Sequence, residues 1–172
     1  MARANKAIEN TSSVNVGFEA HDHTACVQTA LQAAEAHCLA KGLRFTPVRR
    51  RTLEILLQEH RALGAYDLLK SLSGSGFGSQ PPVAYRAIDF LVKNGFAHKV
   101  EKLNAFIACN HPGASHSPAF MICRSCDVVV EGMSGPARGM IGKAANEVGF
   151  KIEKSIIEVE GICGSCAEQA NA

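Results

Sequence analysis

The sequence predicts an α+β fold in two modules, a helical front half that ends in a β-hairpin and a smaller α/β back half. Three observations carry this. Apolar residues recur at helical spacing as far as Asn94 and then give way to two short strand-like runs around Lys102-Leu103-Asn104. Charge divides nearby: residues 41–102 hold 11 Lys/Arg against 5 Asp/Glu, whereas residues 103–172 hold 5 against 7. The back half alone carries two Cys-x-x-Cys pairs, Cys123/Cys126 and Cys163/Cys166. The expected division is therefore a flexible segment over 1–23, a first module over 24–102 and a second over 103–172.

With 172 residues, 47% hydrophobic and 20% charged, the chain has the composition of one ordinary domain or two small ones. Its apolar runs are only a few residues long, which excludes a membrane helix. Met1 to Asn15 is polar and lacks the apolar core of a secretory signal, so the expected location is the cytoplasm. His21 and His23 read as solvated residues of the N-terminal segment.

Thr24 to Ala40 reads as a first helix, with Val27, Ala30, Leu31, Ala34 and Cys38 on its inner stripe and Gly42 as its stop. Thr46-Pro47 opens a second, because Pro suits the first turn, where no N–H is needed; Leu53, Leu56 and Leu57 face inward. Arg49, Arg50 and Arg51 lie in its first turn, where cations oppose the helix dipole unless an anion lies nearby. A short third helix spans Ala65 to Leu72, and Ser73 to Gln80 is a Gly/Ser-rich connection. Pro81-Pro82 starts a fourth helix that runs to Asn94 and stops at Gly95, with Ala84, Ala87, Ile88 and Leu91 as its buried stripe. Strands follow over Phe96–Glu101 and Ala105–Cys109. A His/Gly/Ser/Pro-rich loop covers Asn110–Pro118. The back half then reads as strands Ala119–Cys123 and Val128–Glu131, a helix over Gly135–Val148, a strand over Phe150–Glu160, and the second cysteine pair.

Helix, helix, short helix, helix and hairpin is the order of a winged helix-turn-helix. The fourth helix is about as wide as a DNA major groove, and its N-terminal residues can reach base edges. Tyr85 offers a ring for a thymine methyl, and Arg86 offers a bidentate pair for guanine. Arg49–Arg51, Lys99 and Lys102 are candidate phosphate contacts, which add affinity without sequence information. The plainer alternative is that these are ordinary solvated surface residues.

Seven cysteines, four of them in two Cys-x-x-Cys pairs, suit a disulfide framework poorly and a metal cage well. Each pair turns two thiolates to one side, and two pairs complete a tetrahedron; four thiolates saturate zinc, so such a site is structural. The alternative is two redox pairs or disulfides. A second, softer set is His98, Cys109, His116 and Glu131, with His111 as a spare. If they converge, they form a two-nitrogen, one-sulfur, one-oxygen site that zinc accepts. They are far apart in sequence, so spacing does not assemble them, and each also has an ordinary reading as a surface or buried residue. No nucleophile–base pattern lies near either set, which speaks against an enzyme.

These residues resemble the ferric uptake regulator (Fur) family, most closely its zinc uptake regulator branch. The likeness covers about Val27 to Cys166. It rests on Arg44-Phe45-Thr46-Pro47-Val48-Arg49, Ala65-Tyr66-Asp67-Leu68-Leu69, Tyr85-Arg86-Ala87-Ile88-Asp89-Phe90-Leu91 with Gly95-Phe96, His98-Lys99-Val100, and the two cysteine pairs. The resemblance implies a winged-helix DNA-binding domain joined to an α/β dimerisation domain, a structural zinc on Cys123, Cys126, Cys163 and Cys166, and a regulatory zinc on His98, Cys109, His116 and Glu131. It also implies that Tyr85 and Arg86 read bases and that Tyr66 and Arg49 meet the DNA. Three departures stand out. Val83-Ala84 replaces the usual Thr-Val, Asp127 replaces the usual Gly after the first cysteine pair, and the histidine-rich run of iron and peroxide sensors is reduced to His116-Ser117-Pro118-Ala119.

The function so implied is that of a homodimeric, zinc-responsive repressor that binds palindromic operators of zinc-uptake genes when zinc is plentiful. It would carry one structural and at least one regulatory zinc per chain, have double-stranded DNA as partner and make no membrane contact. The alternative within the family is a sensor of iron, nickel, manganese or peroxide.

Overall fold

The computed structural model describes residues 23–58, 61–77, 80–110, 112, 117–133 and 135–170. The expected flexible segment, with His21, lies outside them, as do His111 and His116. Four helices come first: α1 (His23–Ala40), α2 (Pro47–Gln58), α3 (Ala65–Gly74) and α4 (Pro81–Lys93). The hairpin β1 (Ala97–Val100) and β2 (Ala105–Ala108) follows. Beyond it come β3 (Pro118–Cys123), β4 (Val129–Met133), α5 (Gly135–Glu147), β5 (Ile157–Gly161) and α6 (Gly164–Ala170).

Helices α1 and α4 stop at the glycines expected to stop them, whereas α3 runs past the expected Leu72 to Gly74, into the Gly/Ser-rich connection. Gly42 takes φ +64 after α1, and the Leu43 N–H closes onto the Cys38 carbonyl at 2.8 Å. Gly95 takes φ +71 after α4, and Phe96 N–H bonds the Leu91 carbonyl at 2.9 Å. Those turns direct Leu31, Ala34, Leu53, Leu56, Leu68, Leu72, Ile88, Leu91 and Phe96 into one core in which each is at least nine-tenths buried. Burying a large aliphatic side chain of this kind is worth about 1.5–3 kcal/mol, so this core holds the four helices as one body.

The hairpin belongs to two cores. Ala97 and Ala108, which face each other in register, join the helical core; Val100 and Ile107 join a second core with Phe120, Ile122 and Val129. Leu63 extends the hairpin by exchanging two 2.8 Å backbone hydrogen bonds with Phe106. Thus the hairpin, which crosses residue 102, is the packed joint between the front and the back of the chain.

The back sheet has strand order β4-β3-β5, with β4 antiparallel and β5 parallel to β3. One expectation needs correction here, and one element is new. The strand predicted over Phe150–Glu160 is confined to Ile157–Gly161, because its partner β3 offers register positions only from Ala119 to Cys123; Phe150 is instead exposed. No element is predicted at the second cysteine pair; there Gly164–Ala170, which includes Cys166, is helical, with the Cys163 carbonyl accepting from the Ala167 N–H.

Candidate metal centres and nucleic-acid interface

The first cysteine pair sits on a tight turn between β3 and β4. Cys123 N–H bonds the Val128 carbonyl at 2.9 Å, and Asp127 N–H bonds the Cys123 carbonyl at 2.9 Å. Closing that turn needs a left-handed residue, and Asp127 takes φ +59; Asp is one of the few residues that enter this region readily, so it does the work of the expected Gly. The second pair spans the entry to α6. The parallel pairing of β5 with β3 places Gly161 beside Cys123, and so brings Cys163 to the first turn; Arg124 N–H to Gly161 O, 3.0 Å, ties the two strand ends.

All four sulfurs lie within 4.8 Å of one another. Cys126 Sγ and Cys163 Sγ are 3.8 Å apart. A tetrahedron with zinc–sulfur bonds of about 2.3 Å has edges of roughly 3.8 Å, so the Cys126–Cys163 edge matches zinc and the chemistry of the donor set suits it. The backbone also prepares one thiolate. Cys163 N–H points at Cys123 Sγ, 3.3 Å away, and with the Ser125 N–H it brings the Cys123 thiol down to about 6. At Cys126 a hydrogen bond from the Val128 N–H pulls the same way, but the hydrogen-bonded thiol of Cys123, burial and the other two sulfurs outweigh it and push Cys126 up to about 12. Cys166 is raised, first by Cys163. Four sulfurs this close cannot all ionise without a cation among them.

The second set also assembles. His98 pairs with Ile107 in the hairpin register, and Cys109 lies two residues beyond Ile107, so His98 and Cys109 share one face. Glu131 comes to them from β4, where it pairs with Phe120. The ligand atoms of His98, Cys109 and Glu131 all lie within 4.8 Å of one another. His98 Nε2 is 3.3 Å from Glu131 Oε1, and tetrahedral zinc with bonds of about 2.0–2.1 Å to nitrogen and oxygen needs an edge of roughly 3.3 Å. The other carboxylate oxygen accepts the Asn110 N–H at 2.9 Å, which fixes the orientation of Glu131. Cys109 and Glu131 are buried, the Glu131 side chain to 1% exposure. The His98 ring packs on Phe120 with centroids 5.8 Å apart. Thus three of the four residues converge, and the fourth, His116, lies outside the described residues.

The helical residues divide. Tyr85 and Arg86 are exposed on the first half of α4, and Tyr66 is exposed at the start of α3. Arg49 is held: its guanidinium lies 3.6 Å from the Phe90 ring centroid, and one of its N–H groups donates to the Arg44 carbonyl. The neighbouring cations find partners inside the chain. Arg50 pairs with Glu35 and Glu54, Arg51 with Glu54 and Ser75. Lys99 pairs with Glu101, and Lys102 with Glu160 at 2.7 Å. Of the first-turn cations on α2, Arg50 and Arg51 are therefore compensated by carboxylates, whereas Arg49 is not.

No protein-family profile matches the chain. The zinc uptake regulation protein of Escherichia coli (strain K12) is 34% identical over 142 residues, which cover 82% of this chain and 83% of that protein. The chain belongs to the ferric uptake regulator family, in its zinc uptake regulator branch. Among solved structures, a zinc uptake regulator complexed with zinc and DNA superposes with a TM-score of 0.80 at 34% identity, over 85% of this chain and 98% of that one. XcZur is solved in two states, each 38% identical to this chain. The holo form gives a TM-score of 0.74 over 81% of this chain and 98% of its own, the apo form 0.50 over 84% and 99%. At equal identity, this chain superposes better on the holo form than on the apo form.

Sequence reasoning named the residues that the fold gathers into two clusters, with His116 outside the described residues, but missed what orients them. The Asn110 N–H on Glu131 carries no side-chain signal, and the Phe90 platform under Arg49 looks like one more apolar residue of α4. Phe90 packs its inner side on the helical core beside Phe96, which leaves its other side for Arg49.

Proposed function

We propose that this chain is a zinc-responsive transcriptional repressor that acts as a homodimer on palindromic operators of zinc-uptake genes in the cytoplasm. The single observation that carries the reading is the meeting of His98 and Cys109, from the hairpin, with Glu131, from the back sheet. Residues 24–102 would read DNA and residues 103–172 would pair two copies. Zinc, when bound, supplies the charge that lets the buried Glu131 carboxylate, the Cys109 thiolate and the His98 imidazole lie together.

The chain's own groups set the rest. His98 and Cys109 are rigid with the hairpin, and the hairpin is packed on the helical core; Glu131 is rigid with the back sheet. Ligation by all three, with His116 as the fourth, selects one angle between reading and pairing modules. In a dimer that angle fixes the separation of the two α4 helices, and an operator with half-sites one helical turn apart rewards only one separation. Tyr85 and Arg86 would read base edges there, with Tyr66 and Arg49 on the flanking backbone. Cys123, Cys126, Cys163 and Cys166 would hold the structural zinc.

Pairing is supported by the back half. Met140, Ile141, Phe150, Val159 and Ile162 are exposed, and β5 is an edge strand of its sheet. A cysteine among the ligands of the second centre suits zinc better than manganese, whose usual ligands are oxygens. Among the described residues, no helix is long and apolar enough to cross a membrane.

The test is operator binding by anisotropy as the cage-loaded dimer is titrated separately with zinc, iron(II), nickel and manganese. Zinc should raise affinity about 5–150-fold, the usual span of such couplings, and His98→Ala should remove the rise while the cage ion stays. Zinc leaving the parent's affinity unchanged would sink the reading.

A further inference from the structure

Phe120, in the centre strand, faces Glu131 on one side and Glu158 on the other, so the three form one row across the sheet. Register partners project to the same face, and this face carries the hairpin. The two carboxylates meet opposite ends of it. Glu131 takes the Asn110 N–H, just past β2, together with His98. Glu158 takes the hairpin turn: its two oxygens accept the Glu101 N–H at 2.6 Å and the Lys102 N–H at 2.9 Å. Between these ends, Val100 and Ile107 pack on Phe120.

We infer that Glu158 is a positioning residue of the switch, a metal-independent clasp that holds the hairpin turn on the back sheet and so sets how much zinc is needed to close the joint. The inference rests on the reading of the second centre given above. Only Glu131 sits in that centre; the two charge-assisted bonds of Glu158 go to the hairpin turn and involve none of the centre's ligands. Glu158 therefore favours the closed angle before metal arrives, and the regulatory ligands meet more often. A site assembled in only a fraction of the molecules binds in proportion to that fraction, so a weaker clasp raises the zinc concentration required. The Lys102–Glu160 ion pair, from the next outward position of β5, adds to the grip.

The clasp acts on arrangement more than on folding. Residues 101–104 are exposed, so the two N–H groups find water when the carboxylate is removed. Glu158 lies outside both ligand sets, and its loss leaves every proposed ligand in place.

The experiment compares the parent with Glu158→Ala and Glu158→Gln as full-length dimers whose cage zinc has been counted. Zinc affinity of the second centre is measured without DNA against a fluorescent chelator, and operator affinity is measured across the same zinc range. Expected for Glu158→Ala is a rise of about 3–10-fold in the zinc needed for half-saturation in both measurements, the modest end for charge-assisted bonds because the carboxylate is partly exposed. Operator affinity at saturating zinc should stay within about twofold of the parent, because metal then holds the joint by itself. Glu158→Gln, which keeps the shape and one acceptor, should shift less in the same direction; it carries the test if the alanine variant fails to fold. A responsive parent with unshifted variants overturns this inference alone. A parent indifferent to zinc overturns the reading of the centre and this inference with it.

Discussion

His98 and Glu131 meet at 3.3 Å across the joint between the hairpin and the back sheet, one from β1 and the other from β4. Neither residue crosses over by itself; the packing of Val100 and Ile107 on Phe120 and Val129 brings them together. A buried carboxylate at such a joint is costly unless it is matched by cations or donors. Its match here is one backbone N–H and a set of metal-binding side chains.

That arrangement makes Glu131→Gln informative. The amide is nearly isosteric, still accepts from Asn110 N–H, and no longer brings a buried charge. Stability of the protein with an empty second centre should be unchanged or improved, while zinc-dependent operator binding should fall about 10–100-fold, the range for disturbing a metal shell. Thermal melts and anisotropy on the same samples read both quantities. A variant that loses stability and keeps its zinc response would contradict the assignment.

The cysteine cage should respond to acid in a defined direction. Zinc and protons compete for the same thiolates, so retention weakens as pH falls. Cys126, up at about 12, and Cys166, also raised, hold protons throughout the neutral range once zinc leaves; Cys123, down at about 6, does not. Proton competition at Cys123 is therefore absent at pH 8 and complete well below pH 6. Zinc release to excess chelator, followed by a colorimetric dye, should quicken as pH falls, with an added rise around pH 6. A steady increase from pH 8 to 5 with no added rise around pH 6 would show that Cys123 is not the prepared thiolate.

Much of this was legible in the sequence, and the exceptions have physical causes. The helix ends could be read because Gly42, Gly95 and Pro81-Pro82 act through local backbone geometry. The convergence of the four cysteine sulfurs could be anticipated because Cys-x-x-Cys is a local device. The extent of β5 could not, since it depends on the free edge of β3, and neither could α6, whose seven residues carry no buried face. His98, Cys109 and Glu131 could be named but not joined, because their meeting depends on which side of a hairpin packs against which row of a sheet. The carboxylate partners of Arg50, Arg51 and Lys102, namely Glu35, Glu54 and Glu160, could not be read, because only the folded chain brings them alongside.

Those ion pairs separate the cations experimentally. Arg86 is exposed on α4 and Arg49 is stacked on Phe90, whereas Lys102 is bonded to Glu160. Arg86→Ala should cost about 1–3 kcal/mol of discrimination between operator and mutated operator. Arg49→Ala should weaken both sequences alike and lower the salt slope by about 1, while Lys102→Ala should leave that slope nearly unchanged. Phe90→Ala should weaken operator binding in the direction of Arg49→Ala, because the guanidinium loses the ring that fixes it. Affinities measured over a range of salt concentrations decide this, and equal slope changes for Arg49 and Lys102 would refute the division.

Phe120 offers the last separation, because it serves packing and switching together. Its side chain is fully buried between Glu131 and Glu158 and lies against His98. Phe120→Ala should cost about 3–5 kcal/mol, as core aromatic truncations do, and should loosen the seat of the hairpin. Phe120→Leu keeps most of the apolar volume and should cost less, yet it removes the flat surface that orients the His98 ring. The leucine variant should therefore remain folded at room temperature with its cage zinc intact, and should need several-fold more zinc to reach half of its maximal operator binding. Circular dichroism, metal counting and a zinc titration of operator affinity read the three parts independently. If the leucine variant matched the parent in all three, the ring of Phe120 would be packing material only, and the orientation of His98 would have to come from the hairpin itself.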